Sequence, residues 1–176
     1  MATLDVDRAL ARWMPRLVSV WRRHRRLPEG PPTLVGRELK EIGQGIRTLS
    51  TGLTRDRALV GARYLDDPRL LGAYLLFYWP VSYAQARAVL GELPRRPRTV
   101  LDLGSGPGPL AFAALDAGAK EVMAADRSKP ALTLARELAT EAGEALATRE
   151  WDPTRKAAPP EGQFDLITMG HVLNEL

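Results

Sequence analysis

A chain of 176 residues, 45% hydrophobic and 26% charged, can bury one core and part of a second; it carries no cysteine and two histidines, His24 and His171. This composition excludes a cysteine nucleophile, a thiolate metal site and a disulfide framework within these residues, and it leaves a histidine-rich metal site short of ligands. No apolar run reaches the roughly 18 residues of a membrane span, and the N-terminus lacks the charged, apolar and small-residue order of a secretory signal, so the reading is a cytoplasmic protein with no membrane partner.

The formal net charge of +4 conceals an uneven distribution. Residues 1–98 carry 18 basic and 9 acidic side chains, whereas residues 99–176 carry 7 and 12. A basic front half suggests a polyanionic partner, because a cationic face concentrates phosphate-rich ligands; arginine-rich helices with solvated faces give the same counts.

In chain order, Val6, Leu10, Trp13, Leu17, Val20 and Trp21 recur at three and four residues, the apolar stripe of an amphipathic helix. Arg8, Arg12 and Arg16 fall on a different face, and Arg22, Arg23, Arg25 and Arg26 cluster around His24. These seven arginines are the candidate contacts to RNA phosphates, which would position a strand without reading its sequence. The helix ends before Pro28, where residues 27–32 supply breakers. A second helix takes Val35, Leu39, Ile42, Ile46, Leu49 and Leu53 as its buried stripe. Gly43 and Gly45 weaken it by up to about 1 kcal/mol each, so they mark close packing or a kink. Helices over 55–65, 68–78 and 81–93, with Pro68 and Pro80 at tolerated first-turn positions, complete an all-helical domain over 1–98, and 94–98 is a proline-bounded basic linker.

From residue 99 the pattern becomes strand, glycine turn, helix, strand. A strand over 99–103 precedes a helix over 109–117 with Gly118 as its C-cap, and a second strand covers 121–126. Ser128 and Pro130 open a helix whose Leu134, Leu138 and Ala142 share a face. A weaker strand ends near Trp151 and Asp152, a proline-rich loop follows, and a strand covers 164–169. Such alternation predicts an α/β fold with a parallel sheet.

The first strand runs into Gly104, Ser105, Gly106, Pro107 and Gly108, and glycines there let the backbone turn tightly and let a ligand approach unhindered. A dinucleotide loop requires its third small residue at the position of Pro109; here the third glycine comes one residue early. The resulting D-x-G-x-G-x-G, from Asp102 to Gly108, resembles motif I of class I methyltransferases, which implies S-adenosylmethionine as cofactor. Asp126, 22 residues after Gly104 at the end of a strand, can accept hydrogen bonds from both ribose hydroxyls, with Arg127 beside it. Asp102 either holds the loop amides, meets the cofactor's amino group through water, or serves a purely structural bond. Asp152 resembles the acidic position that meets adenine, with Trp151 and Glu150 as alternatives. After the last strand, Gly170 and His171 stand where such enzymes place residues between cofactor and acceptor, His171 being either a base or orienting group, or a pocket-lining side chain.

Three stretches together carry a narrower resemblance: Tyr74 through Tyr83, Leu101 through Gly108, and His171-Val172-Leu173-Asn174-Glu175-Leu176. They resemble the methyltransferase-like family associated with the mitochondrial small ribosomal subunit, of which bacteria carry relatives. The resemblance implies a methyltransferase fold with a role in small-subunit assembly or rRNA contact. It also implies an iron-sulfur cysteine cluster, which could lie only in sequence beyond Leu176. The chain then holds the first half, four strands, of a Rossmann-like class I methyltransferase parallel sheet over 99–176, behind the helical domain, and a sheet stopped there has an open edge, as in a fragment. His171, Asn174 and Glu175 are expected to border the cofactor pocket.

Three functions compete. The first is an S-adenosylmethionine-dependent methyltransferase acting on RNA or the small ribosomal subunit. The second is a non-catalytic ribosome-assembly or rRNA-binding factor that keeps the cofactor fold, favoured by the absence of a recognisable acceptor motif. The third, a nicotinamide-dependent oxidoreductase, is disfavoured by Pro109 and the glycine spacing.

Overall fold

Strand-forming residues separated by glycine-capped helices assemble as the alternation predicts. The computed structural model describes residues 2–155 and 157–172, with side chains from Val6 onward. Four parallel strands lie in the order β3-β2-β1-β4, with β1 Thr99–Leu103, β2 Glu121–Asp126, β3 Ala147–Glu150 and β4 Leu166–Thr168. The register sets Asp102 between Ala124 of β2 and Thr168 of β4. Helices α5 (Pro109–Asp116) and α6 (Lys129–Ala142) make the two crossovers, α6 capped by the Ser128 hydroxyl on the Ala131 N–H. This is the expected α/β fold, helices followed by a Rossmann-like four-stranded parallel sheet.

The helices before the sheet are α1 (Ala2–His24), α2 (Gly36–Ser50), α3 (Pro68–Ala73) and α4 (Trp79–Gly91). α4 packs on the outside of α5 and α1 on α6, with α2 and α3 packed together behind them, which explains why Ala111, Phe112, Ala113 and Ala114 of α5 are all buried. A helix apolar on every side has protein on every side. Trp13, Leu17 and Trp21 join Trp79, Tyr83, Phe112, Val100 and Leu138 in one continuous core. Trp13 lies 4.9 Å from Phe112 between ring centroids, and Trp79 stacks on Tyr83 at 5.2 Å, each pair worth about 0.5–1.5 kcal/mol beyond area burial. Among the described residues no helix is long and apolar enough to cross a membrane.

Four local expectations are corrected. The helix expected over 55–65 is absent: α2 runs into a π-helical turn, Thr51–Arg55, followed by turns and a short 3-10 segment, Tyr64–Asp66. Positive φ at Arg57 and Gly61 interrupts any helix there. Pro80 does lie in the first turn of a helix, as expected, but the gap expected between the helices over 68–78 and 81–93 is absent. A π turn, Tyr74–Tyr78, joins α3 to α4 without a gap, and its wider turn directly precedes Pro80, which has no N–H to give to the preceding helical carbonyls. In α2 the buried stripe is Glu38, Ile42, Gly45 and Leu49, while Val35 and Leu39 face solvent. Gly45 marks close packing, because a Cβ there would come within 2.6 Å of the Ala73 Cβ. Finally, β4 is half the expected length and forms the sheet edge, with Ile167 exposed. Among the described residues no helix joins it to β3; Trp151 and Phe164 from that connection pack against Leu101, Leu103 and Ala125 instead.

Candidate cofactor site

The turn from β1 into α5 takes Gly104, Gly106 and Gly108 through φ of 66°, 52° and 84°. A left-handed residue at every second position is the reason for glycine at every second position, since a side chain there costs about 1–2 kcal/mol. At Gly106 a Cβ would also project toward Leu65 and Tyr74, at 3.4 and 3.8 Å, so bare backbone faces those side chains. The Trp79 indole N–H donates to the Pro107 carbonyl at 3.1 Å, which fixes the turn from the helical side.

Asp126 ends β2 with its carboxylate buried, accepting the N–H of Gly106 and of Ser128, both at 2.7 Å. Burial raises its pKa despite those bonds. Asp102 accepts the Thr168 hydroxyl at 2.8 Å and the Ala111 N–H at 3.2 Å, so it ties β4 and the first turn of α5 to β1 rather than holding the glycine loop. Burial pushes its pKa up to about 7.

Gly104, Gly106, Asp126, Arg127, Trp151, Gly170 and His171 line one cavity of about 350 Å³, within the range of small-molecule sites. His171 holds a left-handed φ of 61°, a conformation that for a non-glycine residue stores about 1–3 kcal/mol and clusters at functional sites. Asp102, Ser105, Pro107 and Gly108 are not among the residues that line the cavity. Asp152 sits between lining residues, but its carboxylate accepts the N–H and hydroxyl of Thr154, which hold it below the usual carboxylate range. Asn174 and Glu175, with Leu173 and Leu176, fall outside the described residues.

The opposite wall was not foreseen from sequence. Tyr64, Tyr74, Tyr78, Leu53 and Thr54 of the helical half complete the cavity, and both π turns contribute to it. Tyr74 and Tyr78 stack at 5.7 Å between centroids. Their four-residue spacing inside an aromatic run was the available signal. Segment 61–66 is fastened to the turn after β2: Arg127 donates to the carbonyls of Gly61 and Ala62, Arg63 donates to the Arg127 carbonyl and to Asp66, and the Ser128 hydroxyl donates to Asp66.

The candidate RNA-contacting arginines are placed differently from one another. Arg22 is 5% exposed, with its guanidinium on both Glu38 oxygens at 2.9 and 2.7 Å and on the Pro31 and Thr33 carbonyls. Arg12 pairs with Asp116, Arg23 with Glu141 and Arg25 with Glu41. Arg16 donates to the Arg12 carbonyl, and Arg8 and Arg26 are exposed. The arginines of α1 thus serve largely to fasten it to α2, α5 and α6.

Residues 100–176 match the family model of the methyltransferase domain. Over 83 residues the chain is 36% identical to a ribosomal RNA small subunit methyltransferase A from Paramagnetospirillum magneticum, covering 47% of this chain and 28% of that protein. Over 81 residues it is 40% identical to a ribosomal protein L11 methyltransferase from Lactobacillus delbrueckii subsp. bulgaricus, covering 46% and 25%. The solved structure of a ribosomal protein L11 methylase from that organism superposes with a TM-score of 0.44 at 33% identity, over 51% of this chain and 46% of the other. The chain spans about a quarter of the length of the curated relatives it matches. The matched stretch contains both the three-glycine turn and the carboxylate ending β2, so this part of the chain is similar to a methyltransferase domain.

Proposed function

We propose that this chain is an S-adenosylmethionine-dependent methyltransferase acting on RNA or on another component of the small ribosomal subunit. One observation carries the cofactor assignment: the bare backbone of Gly106 and the buried Asp126 carboxylate meet in one cavity at the C-terminal ends of β1 and β2. When bound, the sulfonium cofactor supplies an activated methyl group.

The residues present fit it. Each Asp126 oxygen keeps a lone pair after accepting its backbone N–H, and these can accept the two ribose hydroxyls. Trp151 offers an apolar wall on the β3 side. His171, at the end of β4, borders the side from which a nucleophile would enter, where it can orient that group or take its proton. Alignment of the two reactants supplies most of the rate enhancement. The RNA or ribosomal target is supported by the relatives named for rRNA and ribosomal-protein methylation, and by the resemblance of Tyr74 through Tyr83 and of the H-V-L-N-E-L end to the small-subunit family.

Calorimetry tests the cofactor. S-adenosylmethionine and S-adenosylhomocysteine should bind and NAD should not, and Asp126→Ala should weaken binding by about 1.5–3 kcal/mol, the worth of hydrogen bonds to a charged group. A folded Asp126→Ala protein that binds as tightly as wild type sinks the assignment. Methyl transfer to small-subunit particles then separates an enzyme from a binding factor, which would take up the cofactor without turnover.

A further inference from the structure

α2 buries Glu38, Ile42, Gly45 and Leu49, and the residues on the opposite side are Arg37, Lys40, Gln44 and Arg47, all exposed. Steps of three, four and three residues keep these side chains within an arc of about 80° along about 15 Å of helix. The two acidic residues of α2 do not offset them. Glu38 is buried under Arg22, and Glu41 is bonded to Arg25 at 2.7 Å. Ion pairs with α1 therefore turn a helix of mixed composition into one with a cationic outer face.

That face leads somewhere. Beyond Arg47 it continues through exposed Thr51 and Arg55 in the π turn, whose Leu53 and Thr54 line the cavity. Ser50 at the end of α2 is hydrogen-bonded to Tyr78, one of the stacked tyrosines of the cavity wall. We infer that the outer face of α2 is a backbone track for single-stranded RNA, with Arg37, Lys40 and Arg47 on successive phosphates and the strand delivered to the tyrosine-lined mouth of the cavity. A cationic path with polar side chains between the charges, ending on aromatic faces, is the construction that binds single strands without reading sequence. Leu39, the exposed apolar residue of α2, lies off the cationic arc, and competition by polyglutamate is the arm of the test that decides against an acidic protein partner. The inference rests on the proposed RNA target, and it moves the phosphate contacts from α1 to α2.

The test is binding of a fluorescently labelled short single-stranded RNA to the full chain across a salt series, without cofactor. Replacing Arg37, Lys40 and Arg47 by Gln together should lower affinity at low salt at least tenfold. It should also flatten the log-log salt slope by about 2, since each single-strand phosphate contact adds about 0.7. Replacing Arg8 and Arg26 by Gln should leave the slope nearly intact. An unchanged slope in the triple variant, no RNA binding by wild type, or equally strong competition by polyglutamate overturns the track. Cofactor calorimetry on the same proteins keeps the two readings apart: a chain that binds RNA through α2 but no S-adenosylmethionine sinks the methyltransferase reading alone.

Discussion

Arg22 in the helical half and Asp102 in the sheet half are both nearly sealed from water, yet they are held in opposite fashions. Arg22 meets a full countercharge, with both Glu38 oxygens and two carbonyls around its guanidinium. Asp102 meets a hydroxyl and one backbone N–H. The contrast extends across each half. Helical-half donors Arg12, Trp13 and Tyr83 converge on Asp116 of α5, while Asp126 rests on two backbone N–H groups. Net charge is thus a poor locator of a polyanion site. Much of the basic excess of residues 1–98 answers acids within the fold, and what matters is which cations remain once those pairs are formed.

The largest effect that would sharpen this contrast comes from Arg22→Ala. It strands Glu38 as an uncompensated buried charge, and urea denaturation should show a loss of about 3–5 kcal/mol. A loss below about 1 kcal/mol would mean that Arg22 behaves as a surface arginine.

Asp102 should give a pH signature instead. Its carboxyl titrates near 4 when unfolded and at about 7 when folded, so between those values the native state holds more protons than the unfolded one. Stability should therefore fall as pH rises from about 4 to 7, by at most about 1.4 kcal/mol per pH unit. Asp102→Asn should flatten that dependence, as read from urea midpoints at several pH values. A steeper dependence in the variant would place the titrating group elsewhere.

The smallest effect belongs to Arg23, whose pair with Glu141 at 2.7 Å is open to solvent. Arg23→Gln should cost less than about 1 kcal/mol and even less at high salt, measured by thermal melts at two ionic strengths. A cost equal to that of Arg22→Ala would erase the distinction between the two neighbours.

The glycine turn, β1, β2 and the Ser128 cap were legible in sequence because each is a local backbone demand written in residue type: left-handed φ at Gly104, Gly106 and Gly108, and an N–H for the Ser128 hydroxyl to cap. The tyrosine wall was not legible, since Tyr74 and Tyr78 reach the cavity only through packing of α4 on α5 and through a π turn that no simple period announces. Arg22 was misleading for a related reason. Within a run of arginines it reads as solvated, and the one hint was its place four residues after buried Val18. The helix expected over 55–65 failed where tertiary bonds from Arg127 to Gly61 and Ala62 satisfied backbone that a helix would otherwise have satisfied.

The convergence on Asp116 bears on how this chain is made. Arg12 and Trp13 meet a carboxylate 104 and 103 residues later. Synthesis proceeds from the N-terminus at about 5–20 residues per second, so the first helix waits on the order of 5–20 s for its partner to be built. During that interval the Trp13, Leu17 and Trp21 face can be covered only in part, by Ile42, Trp79 and Tyr83 of the helical half, and it stays open on the side that Phe112 and Asp116 later close. Full docking of α1 thereby waits for α5 and α6, although its contacts to the other helices can form earlier.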